Sequence, residues 1–118
     1  MGLLNADALA GLLRAGEQDH AVISNNLANV NTPGYRSMRT QFAEQLDAIL
    51  DEQGNLLPGK SVEAETYRPM YRDVSADGND VSLEREIMEL NKNSLRMQFY
   101  LAALGARIQK LRAAIDGR

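Results

Sequence analysis

Apolar side chains recur at alternating steps of four and three residues through the last third of the chain. The series runs without interruption from Leu83 to Ile115, and Ser94 is its only polar member. This spacing is typical of one long α-helix that packs an apolar edge against another helix. Ser82 is suited to cap the start of this helix, and Gly117 to end it. We therefore predict a C-terminal helix over residues 82–116.

The first thirty residues carry a weaker version of the same pattern, with apolar or small side chains from Ala6 to Val30. Gly11 and Gly16 each lower the helix propensity by roughly 1 kcal/mol relative to alanine, so this segment needs partners to be helical. We predict that residues 1–31 form a helix packed antiparallel against the C-terminal one. The predicted seam between the two helices comprises Leu9, Leu13, Ile23, Leu27, Ile87, Leu90, Met97, Leu101, Leu104, Ile108 and Leu111.

The C-terminal helix has a second apolar stripe on the side away from this seam, here called the outer stripe. It consists of Met88, Leu95, Phe99, Ala102 and Ala106. One partner helix cannot cover both sides of a helix, and each large apolar side chain left in water forgoes roughly 1.5–3 kcal/mol. We therefore interpret the outer stripe as a contact face for other subunits.

The segment between the two helices, residues 32–81, has a less regular pattern. Apolar residues between Met38 and Leu50 fit a short helix, whereas residues 61–74 resemble an extended segment or an edge hairpin. The predicted fold is mainly α and forms a single domain over residues 1–118. Its long terminal helices pair like an antiparallel coiled coil, and a short helix and an irregular or weakly β segment lie between them in the sequence.

Backbone-bending residues mark the end of the N-terminal helix, where residues 24–36 read SNNLANVNTPGYR. Pro33 lacks a backbone N–H and disfavours helical geometry at Thr32, while Gly34 can adopt a positive φ. Asn29 and Asn31 have side chains that bond to nearby backbone. This segment therefore predicts a sharp turn directly after the first helix.

That segment, together with DGNDVSLERE at residues 77–86 and ELNKNSLRMQFYLAALGARIQKL at residues 89–111, resembles the rod proteins of the bacterial flagellar basal body. The resemblance covers about residues 3–42 and 77–116 and is strongest to the proximal rod proteins. It implies an assembly motif formed by Asn26, Asn29, Asn31, Thr32, Pro33, Gly34 and Tyr35.

The resemblance also implies a structural, non-enzymatic function in bacterial motility. The subunit would polymerise helically through its terminal helices in the periplasmic part of the proximal rod and transmit torque. Implied partners are copies of itself, other flagellar rod proteins, a basal-body ring or adaptor protein, and the flagellar type III export apparatus. Export without a cleavable signal peptide is expected, because no charged start precedes an apolar core in the sequence.

Composition removes several other functions from consideration. A net charge of -3 and a pI near 5.1 argue against nucleic acid as a partner, and no apolar run reaches the length of a membrane span. The chain has no cysteine and one histidine, His20, which we interpret as a partly buried interface residue rather than a metal ligand. We predict no catalytic, cofactor-binding or metal site.

Three further patterns receive structural interpretations. Residues 54–61, GNLLPGKS, match a phosphate-binding loop letter for letter, but no strand leads in and no helix follows, so we predict a turn. The acidic pairs Glu63 and Glu65, and Asp77 and Asp80, are interpreted as solvated. The alternating aromatic and basic side chains of residues 67–72 are interpreted as a surface contact with a neighbouring subunit.

A self-contained coiled-coil dimer that acts as a scaffold or adaptor is the alternative function. Isoleucine followed by leucine at seam positions, as at Ile87 and Leu90 and at Ile108 and Leu111, is favoured in two-stranded parallel coils. A dimer of this class would be stable when free. A rod subunit is instead expected to be a monomer with mobile ends that become ordered in the assembly.

Overall fold

The computed structural model describes residues 6–41, 57 and 62–117 of the chain. Four elements follow one another in this part: α1 (Ala6–Ala28), β1 (Arg39–Thr40), β2 (Thr66–Tyr67) and α2 (Leu83–Asp116). The two helices pack against each other, and the molecule is elongated, with principal extents of 64 × 26 × 16 Å. The predicted fold class, mainly α with two long helices and an irregular middle segment, is confirmed.

The long helix α2 begins and ends at the residues that the sequence predicts. The Ser82 hydroxyl accepts a hydrogen bond from the backbone N–H of Arg85 at 3.3 Å, as an N-cap does. Gly117 adopts φ 71° and its N–H donates to the Ala113 carbonyl, which stops the helix. Its 34 residues give a length of about 51 Å at 1.5 Å per residue.

Contacts between the helices show that α1 and α2 run antiparallel. Near the start of α1, Leu9 and Leu12 pack in one cluster with Tyr100 of α2. Near the other end of α1, the side chain of Asn26 bonds to Glu86, which lies one turn into α2. The helices therefore pass each other in opposite directions, with the end of α1 beside the start of α2.

The apolar core is small and is built mainly by α1. Its buried members are Ala8, Leu9, Leu12, Ala15 and Tyr100, and the partly buried side chains around them are Leu13, Val62, Ala64, Met97, Ala103 and Leu104. The residues on this side of α1 include alanines and the buried glycines 11 and 16, so neighbouring segments come close to its backbone. The segment that contains Val62 and Ala64 thereby packs against the same core as α2.

The face of α2 that meets α1 is centred beside the predicted seam rather than on it. Its buried residues are Glu86, Asn93 and Tyr100, which are spaced seven apart. Of the predicted seam residues in α2, Leu90, Met97 and Leu104 are partly buried, whereas Ile87, Leu101, Ile108 and Leu111 are 46–63% exposed in the subunit. In α1, Leu9 and Ile23 are buried, and Leu13 and Leu27 are partly buried. One edge of the apolar series on α2 is therefore left open.

The middle segment contains a strand where the apolar pattern predicts the start of a short helix. Arg39 and Thr40 form β1, which pairs antiparallel with β2, so that Arg39 lies opposite Tyr67 and Thr40 opposite Thr66. Of residues 61–74, which we predicted to be an extended segment or an edge hairpin, Thr66 and Tyr67 form β2. The other residues of the predicted short helix, 42–50, and all of the GNLLPGKS segment except Leu57 lie outside the described residues.

Two helical glycines provide a matched test of the packing of α1. A Cβ added to Gly11 would lie 2.8 Å from the Cβ of Val62, whereas one added to Gly105 of α2 meets nothing within 4 Å. Both changes to alanine favour the helical backbone by about 1 kcal/mol. We expect Gly105→Ala to raise the free energy of unfolding by about that amount and Gly11→Ala to lower it by about 1–3 kcal/mol, because Val62 must move.

Urea denaturation of the purified subunit, followed by circular dichroism, measures both changes. Equal stabilisation by the two alanines would show that Val62 is not packed against α1.

Candidate functional site: a buried polar joint and an exposed apolar face

The side chain of Asn26 lies fully buried near the end of α1 and makes four hydrogen bonds. Its Nδ2 donates to the Met38 carbonyl at 2.8 Å and to Oε1 of Glu86 at 2.7 Å. Its Oδ1 accepts from the Met38 backbone N–H at 3.0 Å and from the Tyr35 hydroxyl at 3.1 Å. A carboxamide has two donors and two acceptor lone pairs, so every hydrogen-bonding position of this group is used.

Glu86 is a fully buried carboxylate that forms a two-pronged ion pair with Arg39 of β1. Nη1 of Arg39 donates to Oε1 at 2.8 Å, and Nη2 donates to Oε2. Arg39 also donates from Nε to the Tyr71 hydroxyl at 3.1 Å. Paired planar groups of this kind are the geometry in which a buried ion pair offsets the cost of its desolvation. We call Asn26, Arg39 and Glu86 the polar joint.

The hydrogen-bond partners of Arg39 stabilise its charged form. Burial alone lowers the pKa of Arg39, but the hydrogen bonds to Glu86 and Tyr71 outweigh it and raise the pKa above its ordinary value. The guanidinium of Arg85 lies 3.6 Å from the centre of the Tyr71 ring, within range of a cation–π interaction. Tyr71, which the sequence places in a possible contact surface for a neighbour, thus supports the joint from inside the subunit.

A second set of bonds fastens the turn after α1 to the turn before α2. Nδ2 of Asn79 donates to the backbone carbonyls of Asn29 and Thr32, both at 2.8 Å. The Thr32 hydroxyl in turn donates to Oδ1 of Asn29 at 3.0 Å. One buried amide therefore binds two backbone carbonyls of the turn that follows α1.

Glycines allow these two turns to come together closely. Gly34 and Gly78 both have φ in the left-handed region, at 75° and 86°, and a Cβ on Gly78 would lie 3.5 Å from Cα of Gly34. The N–H of Gly34 donates to the Asp77 carbonyl at 2.8 Å. The Ser75 hydroxyl and the Asn79 N–H bond to the exposed Asp77 carboxylate and lower its pKa.

Asp80 is buried, whereas the sequence pattern led us to interpret it as solvated. Its Oδ1 accepts a bond from the Ser37 backbone N–H at 2.6 Å, and its Oδ2 lies 3.3 Å from Nη1 of Arg36. The side chain is covered because the segment that follows Tyr35 crosses directly over it, and the Tyr35 carbonyl accepts from the Asp80 N–H at 3.2 Å. Asp77, by contrast, is exposed as expected.

A third polar contact joins the middle of α1 to β1. The Thr40 hydroxyl donates to Oδ1 of Asp19 at 2.8 Å, and Nη2 of Arg96 lies 3.5 Å from Oδ2 of the same carboxylate. Burial raises the pKa of Asp19, although the Thr40 bond and the Arg96 charge oppose this effect. Ionisation of Asp19 therefore lowers the stability of the folded subunit.

The structure brings five of the predicted assembly residues into this network and leaves two outside it. Those inside are Asn26, Asn29, Thr32, Gly34 and Tyr35. Asn31 and Pro33 lie exposed in the turn. The motif thus holds the subunit's own two helices together, and a role in contacts with other subunits stays a prediction.

The outer stripe of α2 is open to solvent along its whole length. Met88, Leu95 and Phe99 are 50%, 67% and 62% exposed, and Ala102 and Ala106 are exposed as well. Contiguous apolar surface of this kind marks interaction sites on soluble proteins.

His20 of α1 is exposed, whereas we expected it to be partly buried.

Sequence reasoning missed Arg39, Glu86 and Asn93 as buried residues. A signal was present, because Glu86, Asn93 and Tyr100 repeat every seven residues on one side of α2. Among the described residues, no group of three or more His, Cys, Asp or Glu side chains could hold a metal ion. Nor does the described part of the chain contain a helix long and apolar enough to cross a membrane.

Known proteins are similar to this chain in sequence. A family profile described as "Flagella basal body rod protein" matches residues 15–36, which span the second half of α1 and the turn. The flagellar basal body rod protein FlgB of Cereibacter sphaeroides is 34% identical, over 97% of this chain and 94% of that protein. FlgB of Yersinia enterocolitica is 31% identical over 88% and 86%. FlgB of Salmonella typhimurium is 29% identical over 89% and 86%.

Two terminal helices joined by a polar network, with apolar surface left open, therefore characterise a structural subunit. The chain belongs to the family of flagellar basal body rod proteins. Within that family, the relatives to which it is similar over most of its length carry the name FlgB.

Replacement of Glu86 tests the polar joint. We expect Glu86→Gln to lower the free energy of unfolding by about 3–5 kcal/mol, because the Arg39 charge is then buried without a counter-ion. Glu84→Gln is the matched control, since Glu84 lies in the same first turn of α2 but is exposed. Glu84→Gln should lower the free energy of unfolding by no more than about 1 kcal/mol, which is the contribution of a carboxylate near the start of a helix. Urea denaturation of the purified subunit measures both, and equal losses would contradict the joint.

The raised pKa of Asp19 predicts how stability depends on pH. The folded state binds the proton of Asp19 more tightly than the unfolded state, whose pKa has the ordinary value of 3.8. As pH rises from 3.8 through the raised pKa, ionisation of Asp19 therefore costs stability. Asp19→Asn should thus gain stability relative to the wild type across that interval and hold a constant difference above it.

The control for this experiment has the opposite sign. The pKa of Asp77 is lowered, so Asp77→Asn should lose stability relative to the wild type as pH rises towards 3.8. Urea denaturation at a series of pH values measures both variants. The same trend in both would show that the pH dependence does not come from Asp19.

Proposed function

We propose that this chain is a structural subunit of the flagellar basal body rod that assembles through the exposed apolar surface of α2. The observation that carries the proposal is the outer stripe, whose large side chains are 50–67% exposed in the subunit. Membership of the rod protein family supports the proposal, because subunits of a rod assemble with one another and with other rod proteins. The self-contained scaffold dimer is not favoured, because the similar proteins over most of the chain are rod proteins.

The network around the polar joint supports a mechanical role for the subunit. Bonds from Asn26 and Asn79 connect the end of α1, the following turn and the start of α2. The two helices are thereby fixed to each other at one end, while the far end of α2 extends beyond the described start of α1. An elongated unit with one rigid end and one long exposed helix is suited to transmit torque along a rod.

The proposal also covers the location and export of the subunit. We propose that it lies in the proximal rod, in the periplasm, and that the flagellar type III apparatus exports it without a cleavable signal peptide. Its neighbours are copies of the chain, other rod proteins, and a basal-body ring or adaptor protein. A structural rather than enzymatic function is supported by the described buried carboxylates, since Asp19, Asp80 and Glu86 are all bonded within the subunit.

A single charge placed on the outer stripe tests the proposal. We expect Phe99→Asp to leave the folded subunit intact, since Phe99 is 62% exposed, and to abolish motility. Its incorporation into purified basal bodies should fall about tenfold or more, because each buried aromatic side chain contributes more than about 1.4 kcal/mol to an interface. Ser24→Asp is the control, as it adds the same charge at an exposed position of α1, away from the outer stripe.

Swimming in soft agar and the protein content of basal bodies are the measurements, in cells that lack the chromosomal copy. Full motility with Phe99→Asp would show that the outer stripe is not covered in the rod.

A further inference from the structure

The described helices contain three glycines, and packing accounts for two of them. A Cβ on Gly11 would lie 2.8 Å from the Cβ of Val62, and one on Gly16 would collide with the sulfur of Met97. Each of these glycines therefore lets another segment come close to α1. The third, Gly105 of α2, is exposed, and a Cβ there would meet nothing within 4 Å. Within the described part of the chain, no close contact requires a glycine at position 105.

Glycine at position 105 weakens α2 locally. Glycine is less favourable than alanine in the middle of a helix, because its backbone has more conformations to lose. The adjacent residues, Leu104 and Ala106, both favour the helix, so the weakness is confined to one residue. Kinks in long helices occur at proline, at glycine and serine, and at local irregularities. Gly105 is therefore the position at which α2 bends most easily.

Gly105 also lies where the apolar core of the subunit ends. Tyr100 is buried in the core, and Ala103 and Leu104 pack against it, but no described residue beyond Leu104 belongs to it. We call residues 106–116, which form about the last three turns of α2, the distal segment. Gly105 thus separates the part of α2 that packs on the core from the distal segment.

The side chains of the distal segment are mostly exposed. Ile108, Leu111 and Ile115 are 47%, 63% and 79% exposed, and only Arg107 and Ala113 are partly buried. A helical stretch of this length is marginal in water without support from packing. Few buried apolar contacts therefore oppose a change in the direction of this segment.

We propose that Gly105 is a hinge at which the distal segment changes direction relative to the helix pair. The polar joint and the apolar core fix the preceding part of α2 on α1, whereas the distal segment moves as a short helical unit. The inference goes beyond the proposed function, because it concerns motion within one free subunit and requires no second molecule.

A hinge at this position divides the exposed apolar side chains of α2 into two groups. The large side chains of the outer stripe lie before Gly105 and keep a fixed direction relative to α1. Those of the distal segment, Ile108, Leu111 and Ile115, lie beyond it and are presented over a range of directions. One sequence thus provides a rigid apolar surface and an adjustable one on the same helix.

Distances between spin labels on the purified subunit test the hinge. The chain contains no cysteine, so labels can be attached to engineered pairs. The pair Asn91→Cys and Gln109→Cys spans Gly105, whereas the pair Glu84→Cys and Ala102→Cys spans an equal length of α2 before it. All four positions are exposed, and the residues of each pair lie eighteen apart, or about 27 Å along a straight helix.

Pulsed electron–electron double resonance measures the distribution of each distance. We expect a narrow distribution for the pair before Gly105, and a broader one with a shorter mean for the pair that spans it, because a bend brings the labels together. Gly105→Ala should narrow the second distribution to the width of the first, since alanine restores the preference for helix at that residue.

A relocated glycine separates bending at Gly105 from unwinding of the helix end. Ala114→Gly, added to Gly105→Ala, moves the glycine to an exposed position in the last turn of α2 and weakens the helix end instead. The distribution for the pair that spans position 105 should stay as narrow as in Gly105→Ala alone.

Three results would overturn the hinge. They are equal widths for the two pairs in the otherwise unchanged chain, no narrowing with Gly105→Ala, and renewed broadening with Ala114→Gly, which would assign the motion to unwinding of the end. None of them bears on the proposed function, which depends on the motility and incorporation of Phe99→Asp.

Discussion

The buried pair between Glu86 and Arg39 is the interaction on which the rest of the subunit depends. It places a carboxylate of α2 against the strand that follows the first turn, and Asn26 connects both to the end of α1. The apolar core is small, with Tyr100 as the only buried apolar residue from α2. Directional bonds at one end of the helix pair therefore hold the two helices in register where few apolar contacts are present.

Use of polar contacts inside the subunit has a consequence for its surface. A helix pair held together by apolar side chains would bury most of them internally. Here the inner positions 86 and 93 of α2 are a glutamate and an asparagine, while leucine, methionine and phenylalanine lie outside. The polar contacts thus specify how α1 and α2 meet, and the apolar surface stays open for the contacts between subunits that we propose.

The ends of α2 and the turn after α1 were predictable because they depend on local chemistry. Ser82, Gly117 and Gly34 act on the backbone of their own neighbourhood, and the structure places each in the expected geometry. The strand at Arg39 was not predictable, since its extended backbone is held by Asn26, Tyr67 and Glu86, all distant in sequence.

The face of α2 that meets α1 was displaced from the predicted seam for a related reason. Apolar periodicity identifies leucine and isoleucine and ignores a buried glutamate, so the seam was centred on residues such as Leu101 rather than Tyr100. The seven-residue repeat places Glu86 on one face with Tyr100, but the partner that allows its burial, Arg39, lies forty-seven residues earlier in the chain.

The four bonds of Asn26 also bear on how the subunit responds to twisting. Apolar contacts between helices are nondirectional, so they permit small sliding and rolling movements of one helix over the other. Three bonds to Met38 and Tyr35 fix the orientation of the Asn26 amide, and its fourth bond, to Glu86, is a directional link from α1 to α2. A shaft built from such units would be stiffest in torsion at the end where Asn26 lies and more compliant towards the far end of α2.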